Sequence, residues 1–528
     1  MLTTAAKPRL TGYRFIICLL GLALGLGGCA SLPDNSGRQF SYALTDTDDT
    51  EFGKSLAEAK QIHGEKDGFL LLANGLDAFV ARAAMARTAE RSIDVQYYLF
   101  HDDTVGGLLL AELIEAANRG VRVRILIDDM DLKGRDDGMV AIDRHPNIEL
   151  RVFNPFGRNI GRGVQFVTGF GTLTRRMHNK SFTVDNQMAV VGGRNIGNEY
   201  FAADPALEFA DLDVLVIGDV VPEISESFDL YWNSALAYPV SLLNDYQPSD
   251  EEVEAVYRRL AENVEAYQDS PYMQALADSE LAKQLGSKSL VFEWGNVDVF
   301  CDLPDKIENP RDQTELHLMP QLEPYFEAIE NELVIFSPYF VPGKEGVEFF
   351  GKLIANGARV KILTNSLASN DVGAVHAGYS KYRKDLLRAG VELYEMNKRL
   401  PREDRSGSGT VGSSGKASLH AKSFVLDRNK IFVGSLNLDP RSFYENSEIG
   451  VIIESDKIAS AMVDSFDRDI DKIAFRVELV TTDSGGEQLL WHGFENGKAV
   501  TFDNEPYSTF WQRFGVGFMR LLPIESQL

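Results

Sequence analysis

Apolar residues in this chain recur at two alternating spacings. From Ala73 to Ala89 they fall at helical intervals, and Ser92 to Phe100 (SIDVQYYLF) has the β-branched and aromatic content of a strand. Leu108 to Asn118 is helical again, and Val121 to Ile127 (VRVRILI) is a second strand. This is βαβ grammar, and the second half repeats it. Tyr325 to Glu330 reads as helix, Leu333 to Val341 (LVIFSPYFV) as strand, Gly346 to Ala355 as helix and Val360 to Leu363 as strand. Ala117-Asn118-Arg119-Gly120-Val121-Arg122-Val123 lines up with Ala355-Asn356-Gly357-Ala358-Arg359-Val360, one residue shorter. A repeat on this scale predicts an α/β chain of two duplicated domains.

At 528 residues the chain is too long for one ordinary core and fits two domains. The spacing divides it into residues 67–245 and 291–475, with a charged, helix-forming connector at 246–290 and a C-terminal extension at 476–528. In the connector Glu251, Glu252, Glu254, Arg258 and Arg259 are spaced for exposed helical faces. Residues 30–66 are polar and read as a tether ending in a short helical piece.

The first 29 residues read as an address. Lys7, Arg9 and Arg14 precede an apolar run from Phe15 to Leu26, the order of a secretory signal peptide and short for a membrane span. The run ends at Leu26-Gly27-Gly28-Cys29, which resembles the bacterial lipobox. That resemblance implies lipid attachment at Cys29 and, with Ala30 following, a position in the cell envelope on the periplasmic face of the outer membrane.

A net charge of −25 argues against a nucleic-acid partner, because affinity for phosphate backbones comes from clustered Lys and Arg. The three cysteines, Cys18, Cys29 and Cys301, show neither a disulfide framework nor zinc-ligand spacing, and Cys301 reads as a small inert core residue.

One signature appears twice. His178, Lys180, Asp185, Gly192, Gly193 and Asn195 share their spacing with His420, Lys422, Asp427, Gly434, Ser435 and Asn437. The histidines are separated by nearly the same distance as Gly120 and Gly357, so whole domains rather than short motifs are duplicated. Ser181 to Val184 and Ala189 to Val191 read as a hairpin, as do Ser423 to Leu426 and Ile431 to Val433. In extended chain, residues two apart share a face, so each His and its Lys project together.

Two such faces meeting at a domain interface suit phosphodiester chemistry. A neutral imidazole can attack phosphorus, and a second can protonate the leaving oxygen. Lys180 and Lys422 would offset phosphate charge, while Asn195, Asn437 and the Ser435 hydroxyl would contact its oxygens. Each imidazole needs a carboxylate to fix its tautomer, and Asp211 in FADLDV and Glu448 in NSEIGV follow the two motifs. No metal or other cofactor is required. The two segments upstream of the histidines differ: Ser406 to Gly415 reads as a flexible loop, whereas Gly161 to Leu173, with Val164, Phe166, Val167 and Phe170, fits either a packed loop or an apolar lip for acyl chains.

The doubled motif resembles the phospholipase D superfamily. Gln96 to Asp103 (QYYLFHDD), Asp128 to Asp136 (DDMDLKGRD), Phe153 to Arg158 (FNPFGR), Arg175 to Phe201 and Ser435 to Gly450 look, more narrowly, like bacterial cardiolipin synthases of the C type. The resemblance implies two tandem phospholipase D-like domains, each a mixed β-sheet flanked by helices, related by a pseudo-twofold axis around one composite site. It also implies a phosphohistidine intermediate, with His178 as nucleophile and His420 as acid/base, and a supporting role in the hairpin for Asp185 and Asp427. The implied substrates are phosphatidylglycerol and phosphatidylethanolamine at a membrane surface, with a phosphatidyl group transferred to a glycerol hydroxyl. Hydrolysis by the same intermediate, cleavage of nucleic acid and lipid binding without turnover stay open at this level, since the superfamily shares one motif among several reactions.

Overall fold

The structure, a computed structural model, describes residues 32–522 except 160, 169–170, 205–206, 371, 400–415 and 496. Two mixed sheets carry the chain. In the first, eight strands run in the spatial order Asp67–Leu72, Asp213–Ile217, Met188–Gly192, Ser181–Val184, Ser92–Tyr97, Arg122–Asp128, Ile148–Phe153 and Ala237–Pro239. The second sheet repeats that order with Val297–Cys301, Ile449–Glu454, Lys430–Gly434, Ser423–Leu426, Glu332–Phe336, Arg359–Asn365, Glu392–Met396 and Ala474–Thr481. In each, three central strands are parallel and the motif hairpin joins them antiparallel.

Their residues explain why these strands sit inside. Ile93, Val95, Val123 and Val152 are fully buried, and helices Gly75–Thr88 and Thr104–Asn118 cover the face they line. The residues alternating with them, Asp94, Gln96, Arg124 and Arg151, are buried on the other face as well, and Arg124 is paired there with Asp94 at 2.7 Å, so both faces of these parallel strands are covered. Each helix is started by a side chain that caps its free amides: Asn74 accepts from Leu76 N and Asp103 from Gly106 N. A separate core joins the two sheets, with Val191, Val214 and Val216 of the first packed with Val425, Val433 and Val451 of the second. At this interface the duplicated hairpins meet.

The flanking segments are more integrated than composition suggested. Residues 32–50, expected as a tether, lie on the first domain: Asn35 Nδ2 donates to the carbonyls of Ala235 and Ala237 at 3.0 Å, and Ala43 N donates to Asp229 Oδ2 at 2.8 Å. Polar side chains that bond a neighbouring backbone look the same in sequence as solvated ones. The helix Glu51–His63 follows. In the connector, Asp250–Tyr267, Pro271–Ala277 and Glu280–Gly286 form helices on the first domain, where Leu281 N donates to Asp77 Oδ1 at 3.0 Å. Its end, Glu293–Gly295, adds an edge strand to the first sheet, and the chain crosses to the second sheet at Asn296. Residues 476–528, expected as an extension, begin inside the second sheet: Glu487–Glu495 and Lys498–Phe502 extend its edge. Cys301 is half-buried on a strand of that sheet, and burial pushes its thiol up.

Candidate active site

Each hairpin turns through two residues with positive φ, Asp185 and Asn186 in the first and Asp427 and Arg428 in the second. Turns of that hand match the right-handed twist of paired strands. The Asp185 carboxylate accepts from the amides of Glu90, Arg91 and Ser92 at 2.7–2.9 Å, and the Asp427 carboxylate from Glu330, Asn331 and Glu332 over the same distances. These aspartates tie the turn to the start of the neighbouring strand. Both belong to the repeated catalytic signature, and their bonds fit the supporting role that the resemblance implied: they hold the hairpin and lie at the opposite end of its strand from the histidine.

The chain leading into each hairpin is fixed by the last residue of an equivalent parallel strand. Asp128 accepts from Met177 N at 3.0 Å and from Arg176 Nε at 2.8 Å, and Asn365 accepts from Leu419 N at 2.9 Å while its amide donates to Leu419 O at 2.9 Å. The residue preceding each histidine is therefore held by the opening of the sheet. Neither Asp128 nor Asn365 was singled out as a site residue; only their shared position at the end of duplicated strands could have drawn attention to them.

These lead-in segments then pair across the domain boundary. His178 N donates to Ser447 O and Ser447 N to Arg176 O, while His420 N donates to Ala210 O at 2.8 Å and strand Lys416–Leu419 runs parallel to Leu207–Ala210. Each histidine thus lies beside the segment that carries the other domain's carboxylate. His178 Nδ1 sits 2.8 Å from Glu448 Oε2, and His420 Nδ1 sits 2.6 Å from Asp211 Oδ2. The expectation that each motif keeps the carboxylate following it is corrected: the partners are exchanged. A carboxylate can only accept, so Nδ1 of each neutral ring carries the proton and Nε2 is left with its lone pair.

Ser435 also takes a different role from the one expected. Its hydroxyl donates to Glu448 Oε2 at 2.5 Å and accepts from Ile449 N at 3.0 Å, so it positions the carboxylate behind His178 rather than facing phosphate. The matching position is Gly193, where a Cβ would come within 2.2 Å of Asp211 Oδ1. The one difference between the two motifs follows from how each carboxylate is seated. Asp302 adds support by accepting from Glu448 N at 2.7 Å; no sequence signal pointed to it.

Lys180 and Lys422 each donate to the carbonyl of their own histidine at 2.6 Å, which fixes the ammonium beside the ring. Both lysines and both histidines are buried, the two histidine side chains being 10% and 9% exposed. Burial drives His178 down to about 4; the ammonium groups of Lys180 and Lys422 act the same way and Glu448 opposes them. His420 is lowered by burial and by Lys422, against Asp211. Burial also brings Lys180 down to about 7, with Lys422 adding repulsion and Glu448 and Asp211 countering it. Burial alone would raise Asp211 and Glu448, but His420 and His178 hold each below the usual carboxylate range. Each histidine therefore feels both lysines, as one shared site requires.

The asparagines divide. Asn195 Nδ2 donates to Tyr200 Oη at 2.9 Å and its oxygen accepts from Leu99 N at 3.3 Å, which leaves one amide hydrogen for a ligand. The buried Asn437 Oδ1 has no hydrogen-bond partner among the described residues. Tyr98 meets His178 edge-on with centroids 5.0 Å apart, and Tyr200 and Phe209 enclose His420 at 5.1 and 5.2 Å. These aromatic walls were not anticipated: Phe209 lies in the strand Leu207–Ala210, Tyr98 follows the strand Ser92–Tyr97 and Tyr200 ends a short 3-10 helix, so no common spacing links them. Of the upstream segments, Arg162–Thr168 forms a helix with Val164 exposed, while the side chains of Phe166 and Val167 and the whole of Phe170 lie outside what the structure describes, as do Ser406 to Gly415 and Cys29.

The chain is similar to known proteins in sequence and in fold. A family model described as cardiolipin synthase, PLD-like domain, matches residues 83–231 and 325–470. Cardiolipin synthase C of Escherichia coli (strain K12) is 39% identical over 467 residues, 88% of this chain and 96% of that protein. Cardiolipin synthase A of Pseudomonas syringae pv. syringae is 27% identical over 75% of this chain and 66% of its own length. Among solved structures, a phosphatidylserine synthase of Haemophilus influenzae Rd KW20 matches the fold with a TM-score of 0.52, at 15% identity over 80% of this chain and 92% of its own.

Proposed function

Because the chain belongs to the phospholipase D-like family of cardiolipin synthases, we propose that it is a phosphatidyltransferase that joins two phospholipids through a phosphatidyl-histidine intermediate. The observation that carries the reading is the exchanged pair of histidine–carboxylate bonds: each imidazole is oriented by the other domain's carboxylate, each lysine is fixed beside its own histidine, and each histidine lies within electrostatic reach of both lysines. In the first half-reaction His178 Nε2 attacks phosphorus, the bond to the headgroup oxygen breaks, and His420 gives that oxygen its proton. In the second, His420 takes the proton of a glycerol hydroxyl, its oxygen attacks phosphorus, and the phosphorus–nitrogen bond breaks. Lys180, Lys422 and the amides of Asn195 and Asn437 stabilise the added charge on the non-bridging oxygens.

Phosphatidylglycerol as acceptor and phosphatidylethanolamine as donor belong to this proposal, as does residence in the cell envelope with lipid at Cys29. The described residues contain no helix long and apolar enough to cross a membrane, so attachment on this reading comes from the N-terminal address and from surface contact. The deciding measurement is product analysis by mass spectrometry. Incubation with both lipids is expected to give cardiolipin; phosphatidic acid as the main product would replace transfer with hydrolysis.

A second expectation concerns pH. His178, brought down to about 4, is already a neutral nucleophile throughout the neutral range, so no loss of kcat/KM is expected near an ordinary imidazole value as pH falls through 6.5. The alkaline limb reflects loss of the protons on His420 and Lys180, both lowered in the empty site. A bound phosphodiester anion stabilises those cations, raises their pKa values, and holds their protons to higher pH. The alkaline limb of kcat is therefore expected above that of kcat/KM. Coincident limbs in steady-state profiles would mean that the anion does not lie against these groups.

A further inference from the structure

The last helix among the described residues, Phe510–Met519, rests on the second domain by one edge. Val516 is buried with Leu367 and Ala377, and Met519 packs beside them and over Gly373. The opposite side carries Phe510, Trp511, Phe514 and Phe518, continued past the helix end by Leu521, and these are 58–81% exposed. Spaced at i, i+1, i+4, i+8 and i+11, they form one continuous stripe at 100° per residue. Phe510, Trp511 and Phe514 pack on one another, so the stripe is ordered by its own contacts rather than by the protein beneath. A capping box at Thr509 and Gln512 fixes the start of the helix.

Its charge differs from that of the rest of the chain. In a molecule of net charge −25, the interval between Glu505 and Glu525 contains Arg513 and Arg520 and no acidic residue. Both arginines fall on one flank of the aromatic stripe, between it and the buried edge. Aromatic rings with a basic flank are the composition of a helix lying in the headgroup region of a bilayer. The location also fits: Leu367, against which the helix packs, is two residues beyond Asn365, the side chain that fixes Leu419 before His420.

We propose that Phe510–Met519 is an interfacial helix that lays this side of the second domain on a bilayer containing anionic phospholipid, its aromatic stripe among the acyl chains and its arginines at the phosphates. This rests on the phospholipid reading above. It makes the C-terminal segment a second membrane contact besides the N-terminal address, and one adjacent to the element that holds the site.

The test uses the full chain and vesicles of phosphatidylglycerol and phosphatidylethanolamine with brominated acyl chains. Trp511 is 75% exposed, whereas Trp232 and Trp491 are buried and Trp294 stacks on His63. Quenching of tryptophan fluorescence by the brominated chains is expected, and most of it is expected to be lost in Trp511→Phe. A Phe514→Ser/Phe518→Ser variant is expected to lose turnover on vesicles and keep it on short-chain phospholipid dissolved as monomers. Unchanged quenching in Trp511→Phe, no quenching at all, or an equal loss of turnover on both substrate forms would overturn the proposal. So would conversion of an oligomer to monomers by the double variant without any change in lipid contact, which would make the stripe a protein interface. Absence of turnover on either lipid form would instead count against the functional reading, and the quenching result would still decide the helix.

Discussion

Replacing His178 with alanine is expected to abolish the phosphatidyl-enzyme intermediate and to lower turnover by a factor on the order of 10⁴ to 10⁶, the range seen when a covalent nucleophile is removed. The reason is positional. Nδ1 of His178 is committed to Glu448, so its Nε2 carries the lone pair, and burial with two neighbouring ammonium groups keeps the ring unprotonated. His420→Asn is expected to behave differently with a donor whose leaving group needs no proton: the adduct should still form, and should then accumulate because no base activates the acceptor. Intact-protein mass spectrometry after rapid acid quench distinguishes the two. Adduct on the His178 variant, or its accumulation in a His178 variant and absence in His420→Asn, would reverse the assignment of nucleophile.

The exchanged carboxylates give the second large effect. Glu448→Gln, although it lies in the second domain, is expected to impair His178 and slow formation of the adduct. Asp211→Asn, in the first domain, is expected to impair His420 and slow its breakdown. In each an amide replaces the acceptor of the Nδ1 proton, the change that elsewhere costs about 10⁴ in rate by favouring the wrong tautomer. Single-turnover measurements of adduct formation and decay separate the two steps. If Glu448→Gln left formation untouched and slowed only decay, the pairing across the interface would have no catalytic meaning. Ser435→Ala should follow Glu448→Gln in kind and be milder, since Ile449 N would remain to be satisfied but the Glu448–His178 bond would persist.

Much of the fold was legible in the chain. The strands expected at Ser181 to Val184 and Ser423 to Leu426 are found with those bounds, and the helix expected at Leu108 to Asn118 extends back to Thr104. Apolar periodicity reports burial, and burial here is decided locally by strand and helix geometry. The places where the reading departed from the structure share a cause. In residues 32–50 the Asn35 and Arg38 side chains bond backbone carbonyls of the first domain instead of water, and the strands Glu487–Glu495 and Lys498–Phe502 lie at a sheet edge, half-exposed, where apolar alternation is weak. Likewise Ser435 was read as a phosphate contact because nothing in a linear pattern reveals that its hydroxyl is already used on both sides.

The sequence by itself determined the duplication, the alternation of strands and helices within each copy, and the identity of the histidines, lysines and carboxylates, because a repeated spacing is a property of the chain alone. Only the tertiary structure decided which carboxylate serves which imidazole. The segment leading into each hairpin pairs with backbone of the opposite domain, and hydrogen bonds between segments more than 200 residues apart leave no trace in local spacing. That pairing makes two half-sites into one, since neither domain alone supplies both a histidine and the group that orients it.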